Sequence, residues 1–370
     1  MPKLKKELGL FSTTLYGIGV ILGAGIYALI GVGAGLAGNM LWLAFLFSSI
    51  IAIFSGLSYS ELVSMFPKDA AEYTYTKKAF NNELFSFIIG WILAIGTVVA
   101  AATVALGFGG YFSSLFEIEQ KVAAFGLIVG MTLLNYIGIR ESARFNNFSS
   151  LLEAGGLLLV VAAVFLISQP QTNIDLFEFP AEGYAGVITA ISVIFFAYIG
   201  FENIANLAEE VKGSRTVIPK ALVLSLIIST ILYILVSIAA VSEVPYQELA
   251  ASKAPLTLVV QTALGDYSLL LSLIALFATG NTVLIFLIVS SRILYGMSNQ
   301  GSLPPLFSKI GESGTPYFSV LIVGTIAALI ATSTDIKTVA QLADLGVFIA
   351  YFAVNAALIA LVGRHVGERK

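Results

Sequence analysis

The chain has 370 residues, 58% of them hydrophobic and only 11% charged, with a formal net charge of −3. A soluble domain carries roughly 25% charged residues, so this composition excludes one and points to a polytopic helical membrane protein. Cysteine is absent and the single histidine, His365, lies in a basic tail, which excludes disulfides, a thiolate nucleophile and a His- or Cys-rich metal centre.

About 20 apolar residues cross a bilayer. Ten segments of that kind follow one another: 12–36, 40–65, 84–112, 122–139, 147–168, 185–208, 219–242, 267–294, 317–333 and 338–362. Lys3, Lys5 and Lys6 precede the first. Its apolar run is too long for a signal peptide and lacks a convincing cleavage site, so it reads as a retained span. With the N-terminus inside, every lysine and arginine except Lys121, Lys253 and Lys337 falls on the cytoplasmic side, as the positive-inside rule requires. Both termini are then cytoplasmic. The outer loop at 169–183 is acidic, and that at 242–265 is long enough for one or two short helices. The inner loops at 67–83 and 209–220 read as short helices or turns.

The first span holds Gly17, Gly19, Gly23 and Gly25 within nine residues. Glycine weakens a helix interior by up to about 1 kcal/mol relative to alanine. An unwound backbone at membrane depth must be buried in protein or line a wet cavity. Unwinding at Gly23-Ala24-Gly25 would leave a half-helix beginning near Ile26, whose free N–H groups suit a carboxylate. Close helix packing through small residues explains the same pattern. The sixth span is also interrupted, at Phe195-Phe196-Ala197-Tyr198-Ile199-Gly200-Phe201-Glu202-Asn203. Two broken helices in corresponding positions suggest two halves of opposite orientation with a site between them. The expected organisation is a first five-helix unit at 1–168, an outer loop at 169–184, a second five-helix unit at 185–363 and a cytoplasmic tail at 364–370.

Charged residues inside spans are expensive unless they pair or work. Glu202 suits carriage of a proton, or serves structurally by accepting bonds from unwound N–H groups. Glu153 suits a proton or a cation, or pairs with Arg140 or Arg144. Glu61 reads as an anchor near the inner loop and Asp344 as a solvated or capping acid. Phe195, Phe196 and Tyr198 either wall a cavity or simply pack. No phosphate loop, metal-ligand cluster or Ser/His/Asp set is present in the sequence, so no enzyme is expected.

Four stretches together resemble the amino acid–polyamine–organocation (APC) superfamily of secondary transporters, whose fold is of the LeuT type. They are the glycine run from Gly17 to Ile26 and Phe195 to Glu202 with Glu209-Glu210-Val211-Lys212 and Ile218-Pro219-Lys220. The others are Tyr59-Ser60-Glu61-Leu62 with Phe66-Pro67 and Glu72-Tyr73, and Ser291-Arg292-Ile293-Leu294-Tyr295 with Gly301-Ser302-Leu303-Pro304. The resemblance implies an all-α protein of ten transmembrane helices in a 5+5 inverted repeat, with helices 1 and 6 unwound at mid-membrane. It implies a substrate site at Ile21, Gly23, Ala24, Gly25 and Ile26 on the first helix and Phe196, Ala197, Tyr198, Ile199 and Phe201 on the sixth. In that site Gly23, Ala24 and Gly25 amides face the substrate carboxylate. Carbonyls around Phe196, Ala197 and Ile199 face its amine, and Phe196 is the gate.

Glu153 falls where several proton-coupled members have a lysine standing in for a sodium ion. The family's Gly-Gly before the first-loop tyrosine is Ala70-Ala71 here. Many members have twelve spans, so this chain reads as a short member or one lacking two further helices. The expectation is a cytoplasmic-membrane amino acid transporter working by alternating access. H+ is the expected coupling ion through Glu153 and Glu202, Na+ the alternative, and no cofactor, metal or nucleic acid is involved. The rival readings are a polyamine or other organic-amine permease and a membrane amino acid sensor that moves nothing.

Overall fold

A computed structural model of the chain describes residues 4–168, 174–180, 182–252, 255–265, 268–333 and 336–367; for Ala24, Ala28, Ser114, Phe196, Ser268, 336–345 (Asp344 among them) and 363–367 only the backbone is described. Among these residues the secondary structure is helical apart from one parallel bridge between Leu8 and Val211. The helices are α1 (Leu10–Ala37), α2 (Leu41–Met65), α3 (Ala71–Phe80), α4 (Glu83–Phe116), α5 (Gln120–Ile137), α6 (Ile139–Ala162), α7 (Gly183–Ile194), α8 (Ser214–Glu243), α9 (Tyr246–Ala251), α10 (Pro255–Leu264), α11 (Ser268–Asn299), α12 (Tyr317–Ser333) and α13 (Ile336–Gly367). Seven helical stretches are long and apolar enough to cross a membrane, and 183–194, 317–333 and 346–362 are shorter apolar helices. The short helices α3, α9 and α10 occupy the loops expected to hold them.

Local chemistry fixes several joints. Asn81 closes α3 in the left-handed region at φ 50°, a conformation asparagine tolerates. The next residue, Asn82, caps α4 by accepting from the Phe85 amide at 3.0 Å. Gly138, at φ 152°, separates α5 from α6. The fifth span therefore begins as a helix at Ile139 rather than near 147, because the polar stretch Arg140–Asn147 is helical although it is not apolar. Glu153 lies correspondingly deeper along the helix than the sequence reading placed it.

Two packing groups emerge. One joins α4, α5, α11 and α12; the other joins α1, α2, α7 and α8, with α1 also touching α6 and α11. Large apolar side chains point outward, among them Phe54, Leu166, Phe352 and Ile359. Many small and polar ones point inward, including Ser48, Asn135, Asn203 and Asn281. That arrangement suits a lipid surround, where association rests on close packing and internal hydrogen bonds rather than on expulsion of water.

The side that carries the N-terminus is closed by a layered set of polar contacts. Lys212 donates its amide to Leu8 O at 2.8 Å, and the amides of Glu7 and Leu8 donate to Glu210 O. The Glu210 side chain forms a buried two-pronged ion pair with Arg292 of α11, at 2.8 and 3.2 Å. Arg292 also donates to Asn135 of α5 at 3.1 Å. Breaking a buried pair by removing one partner leaves an uncompensated charge, at about 3–5 kcal/mol. Glu210→Gln is therefore expected to weaken this closure. In the naturally cysteine-free chain, a single cysteine replacing the buried Ile204 should then react faster with a water-soluble maleimide. Equal labelling rates with and without Glu210→Gln would contradict this role for the pair.

Candidate functional site

The site is built where two helices lose their regular backbone. In α1 the helical geometry fails at Gly23, with φ −41° and ψ −112°. After α7 the chain tightens into 3₁₀ turns at Phe195–Tyr198 and Phe201–Leu207, with Gly200 between them at φ 119°. The two breaks touch, backbone to backbone at Gly25 and Ala197 and through the Val20 side chain at Gly200. A Cβ on Gly25 would lie 2.7 Å from Ala197 Cα, and one on Gly200 would lie 2.8 Å from Val20 Cγ2. Neither position accommodates a side chain in this arrangement.

Tyr233 of α8 ties the breaks together. Its buried hydroxyl sits against the carbonyls of Ile21 and Ala197, the latter at 3.0 Å. A phenol has one proton to donate, so two carbonyls compete for a single donor. An ammonium group, with three, would satisfy both.

The remaining expected contacts are distributed unevenly. Ile21 and Ile26 are buried beside the break. Tyr198 donates to Phe45 O of α2 at 3.1 Å and packs against the Tyr233 ring. Ile199 is half-buried. Phe201 turns toward α2 and α13, its ring centroid 5.9 Å from that of Tyr59 and 5.3 Å from that of Tyr351. The side chains of Ala24 and Phe196 lie outside the described residues, as does that of Asp344. A cavity of about 210 Å³ lies away from the breaks, at the opposite end from the N-terminus, lined by Asn39, Glu243, Pro245 and Tyr246 among others.

Both expected ion-coupling acids are buried, in different surroundings. Glu202 accepts from the Gly200 amide at 2.8 Å and from the Tyr351 hydroxyl. It therefore satisfies a backbone donor freed by the unwinding. Glu153 has no hydrogen-bond partner for either oxygen among the described residues, and neither Arg140 nor Arg144 pairs with it. It shares α6 with Asn146, Ser149 and Ser150, all buried. Asn281 and Thr282 of α11 approach from across α1: Asn281 donates weakly to Ser150 Oγ at 3.4 Å, and the Thr282 hydroxyl is the nearest atom to a Cβ on Gly23. Several polar atoms here have no partner among the described residues, including Ser149 Oγ, Asn146 Nδ2 and Asn281 Oδ1. Ser290 and Ser291 bond their own helix backbone instead. Glu61 is exposed.

Sequence reasoning missed Tyr233, Asn281 and Thr282. Nothing local marks Tyr233 among 15 tyrosines. A polar pair at Asn281-Thr282 within a long apolar helix was the available signal for the other two.

The sequence profile of the amino acid permease family matches residues 8–370. The chain belongs to that family, within the APC superfamily. It is 33% identical over 381 residues to the branched-chain amino acid permease BcaP of Bacillus subtilis (strain 168), covering 97% of this chain and 81% of that protein. It is 30% identical to the methylthioribose transporter of the same organism, covering 98% and 82%. It is also 30% identical to the inner membrane transport protein YbaT of Escherichia coli (strain K12), covering 96% and 84%. The protein is thus a multi-pass membrane transporter and not an enzyme.

The contact between Gly25 and Ala197 makes the first test of the site. Gly25→Leu is expected to force the breaks apart and abolish substrate binding, while Gly35→Leu, which meets only the Ala250 methyl, should leave binding intact. Binding is to be measured on monodisperse, membrane-inserted protein. Unchanged affinity in Gly25→Leu would remove the breaks from the site.

Proposed function

We propose that this protein moves amino acids across the cytoplasmic membrane by alternating access, coupled to protons. The observation that carries this reading is the meeting of the two broken helices at Gly25 and Ala197, with the Tyr233 hydroxyl against carbonyls from both. An α-amino acid offers complementary chemistry at its two ends. Its carboxylate suits the amides of Gly23, Ala24 and Gly25 at the start of a half-helix. Its ammonium suits the Ile21 and Ala197 carbonyls, with Tyr198, Ile199, Ile26 and Phe201 around them and Phe196 as gate. The name of the B. subtilis branched-chain relative favours an apolar amino acid.

In this reading ten helices cross the membrane as two inverted five-helix units, 1–168 and 185–363, with both termini cytoplasmic. The group of α1, α2, α7 and α8 rocks against α4, α5, α11 and α12. Glu153 and Glu202 carry the coupling. Support for protons comes from Glu153, because an ionised carboxylate with no hydrogen bond among the described residues is expensive at that depth and a protonated one much less so. The polar groups of Asn146, Ser149, Asn281 and Thr282 nearby are what a Na+ reading would use.

A second reading takes its support from the methylthioribose transporter: a substrate without an α-amino acid's paired charges. A panel of unlabelled amino acids, amines and thiosugars competing with labelled leucine in proteoliposomes separates the two. Amino acids are expected to compete, and competition by the other classes alone would overturn the assignment. In vesicles with Na+ replaced by choline, uptake should persist and rise with an inward proton gradient. Glu153→Gln or Glu202→Gln, which mimic the protonated acid, should flatten that response while preserving exchange. Uptake that needs Na+ and ignores the gradient would contradict proton coupling. For the gate, Phe196→Ala should slow uptake per folded molecule with little loss of thermal stability; a loss of about 3–5 kcal/mol in stability with uptake intact would mark it as packing.

A further inference from the structure

Glu72 stands in the first turn of α3, in a loop that reads as solvated in sequence, yet its side chain is buried. Asn206, on the inner half of the second broken helix, clasps it. The Asn206 amide donates to the Glu72 carboxyl at 3.0 and 3.4 Å, while Asn206 Oδ1 accepts from the Ala71 amide at 2.9 Å. Among the described residues no cation pairs with Glu72: Lys68 pairs with Glu209, Lys77 with Glu83 and Arg292 with Glu210.

The groups facing it are all acids or phenols: Tyr59 from α2, Tyr75 from α3 itself, Glu202 beyond Phe201, and Tyr351 from α13. The hydroxyls of Tyr59 and Tyr75 are fully buried; that of Tyr75 has no hydrogen-bond partner among the described residues, and that of Tyr59 faces the Glu72 carboxyl. Tyr351, whose hydroxyl reaches Glu202, lies with its ring centroid 6.0 Å from that of Tyr59. The Glu72 and Glu202 carboxyls thus lie close enough to interact, both buried, with phenols about them and, among the described residues, no ion pair to either. Both cannot ionise there cheaply. Burial pushes the Glu72 carboxyl up to about 7, with the Asn206 hydrogen bond opposing the rise and Glu202 adding to it.

We propose that Glu72 is a further proton-binding site of the transporter, the outlet-side member of a carboxyl pair with Glu202. Burial keeps the carboxyl protonated against the pull of the Asn206 donor, and the clasp holds water out. When the segment that carries Asn206 moves away from α3, water reaches the carboxyl, its O–H bond breaks, the proton passes to water and a hydrated carboxylate remains. Re-formation of the clasp reverses the step. This rests on the proton-coupled reading of the broken-helix site, but its test does not.

The test is infrared titration of the purified full chain in lipid. The wild type should show a protonated-carboxyl C=O band that disappears with a midpoint near pH 7, and Glu72→Gln should lose that band while Glu61→Gln, at an exposed acid, keeps it. The band retained in folded Glu72→Gln would overturn the proposal. If Glu72→Gln does not fold, Asn206→Leu takes its place: an apolar side chain of similar size keeps water out and removes a donor to the carboxylate, so the midpoint must shift to higher pH, and an unmoved midpoint would overturn it. Vesicle uptake then separates the two ideas. A wild type indifferent to a proton gradient, with the band intact, refutes coupling and leaves the site. A coupled wild type whose gradient response survives Glu72→Gln unchanged refutes the role of Glu72 in transport.

Discussion

Everything in this protein depends on how two interrupted helices settle the backbone groups that their interruption sets free. Lipid offers no partners for such groups. The chain supplies its own: a phenol from α8 for the carbonyls of Ile21 and Ala197, and a carboxylate at Glu202 for the Gly200 amide. These partners are incomplete in an informative way. One hydroxyl proton serves two carbonyls, so the resting arrangement leaves hydrogen-bonding capacity that a guest with more donors can use. The helices around the breaks are organised to hold them in register, and the ion pair of Glu210 with Arg292 seals the side below.

Buried carboxylates follow the same logic at increasing distance from the breaks. Glu202 is spoken for by backbone and phenol. Glu72 is held by one side-chain amide. Glu153 has neither. A gradation of that sort separates the structural duty of an acid from its availability for ion traffic, since a group already bound to backbone has less freedom to change state. Asp69, beside Glu72 in the chain, shows the intermediate case: one oxygen accepts the Glu209 amide at 2.9 Å and the other is unpartnered. Burial and the neighbouring acids Glu209 and Glu210 push its carboxyl up, and Arg292 opposes them.

Much of this was legible in the sequence, and the reasons are physical. Helix breaks advertise themselves because glycine runs and a buried acid beside a glycine are costly in a plain span, so Gly23, Gly25, Gly200 and Glu202 stood out. Apolar length located helices but misjudged the start of α6, where Arg140 to Asn147 is helical without being hydrophobic. Tyr233 was invisible because its role is defined by two carbonyls distant in sequence, Ile21 and Ala197, which no local pattern encodes. Glu72 was quoted only as part of a loop motif. Charge in a loop predicts solvent exposure, and only the folding of α3 against α2 and α13 reverses that expectation.

The direct backbone contact at Gly25 has a mechanical consequence. Side chains at a joint act as cushions, since rotamer changes absorb small displacements of one element before its neighbour must respond. Here the Ala197 backbone meets the bare backbone of Gly25, and a joint of this kind has almost no backlash. Displacement of either broken helix is passed at once to the other, so partial movements are not stored between them. Packed elements without such slack switch between discrete arrangements instead of deforming continuously. A carrier built on this joint would flip like a rocker switch, and the leak that a loosely geared carrier suffers between its two faces would be small by construction.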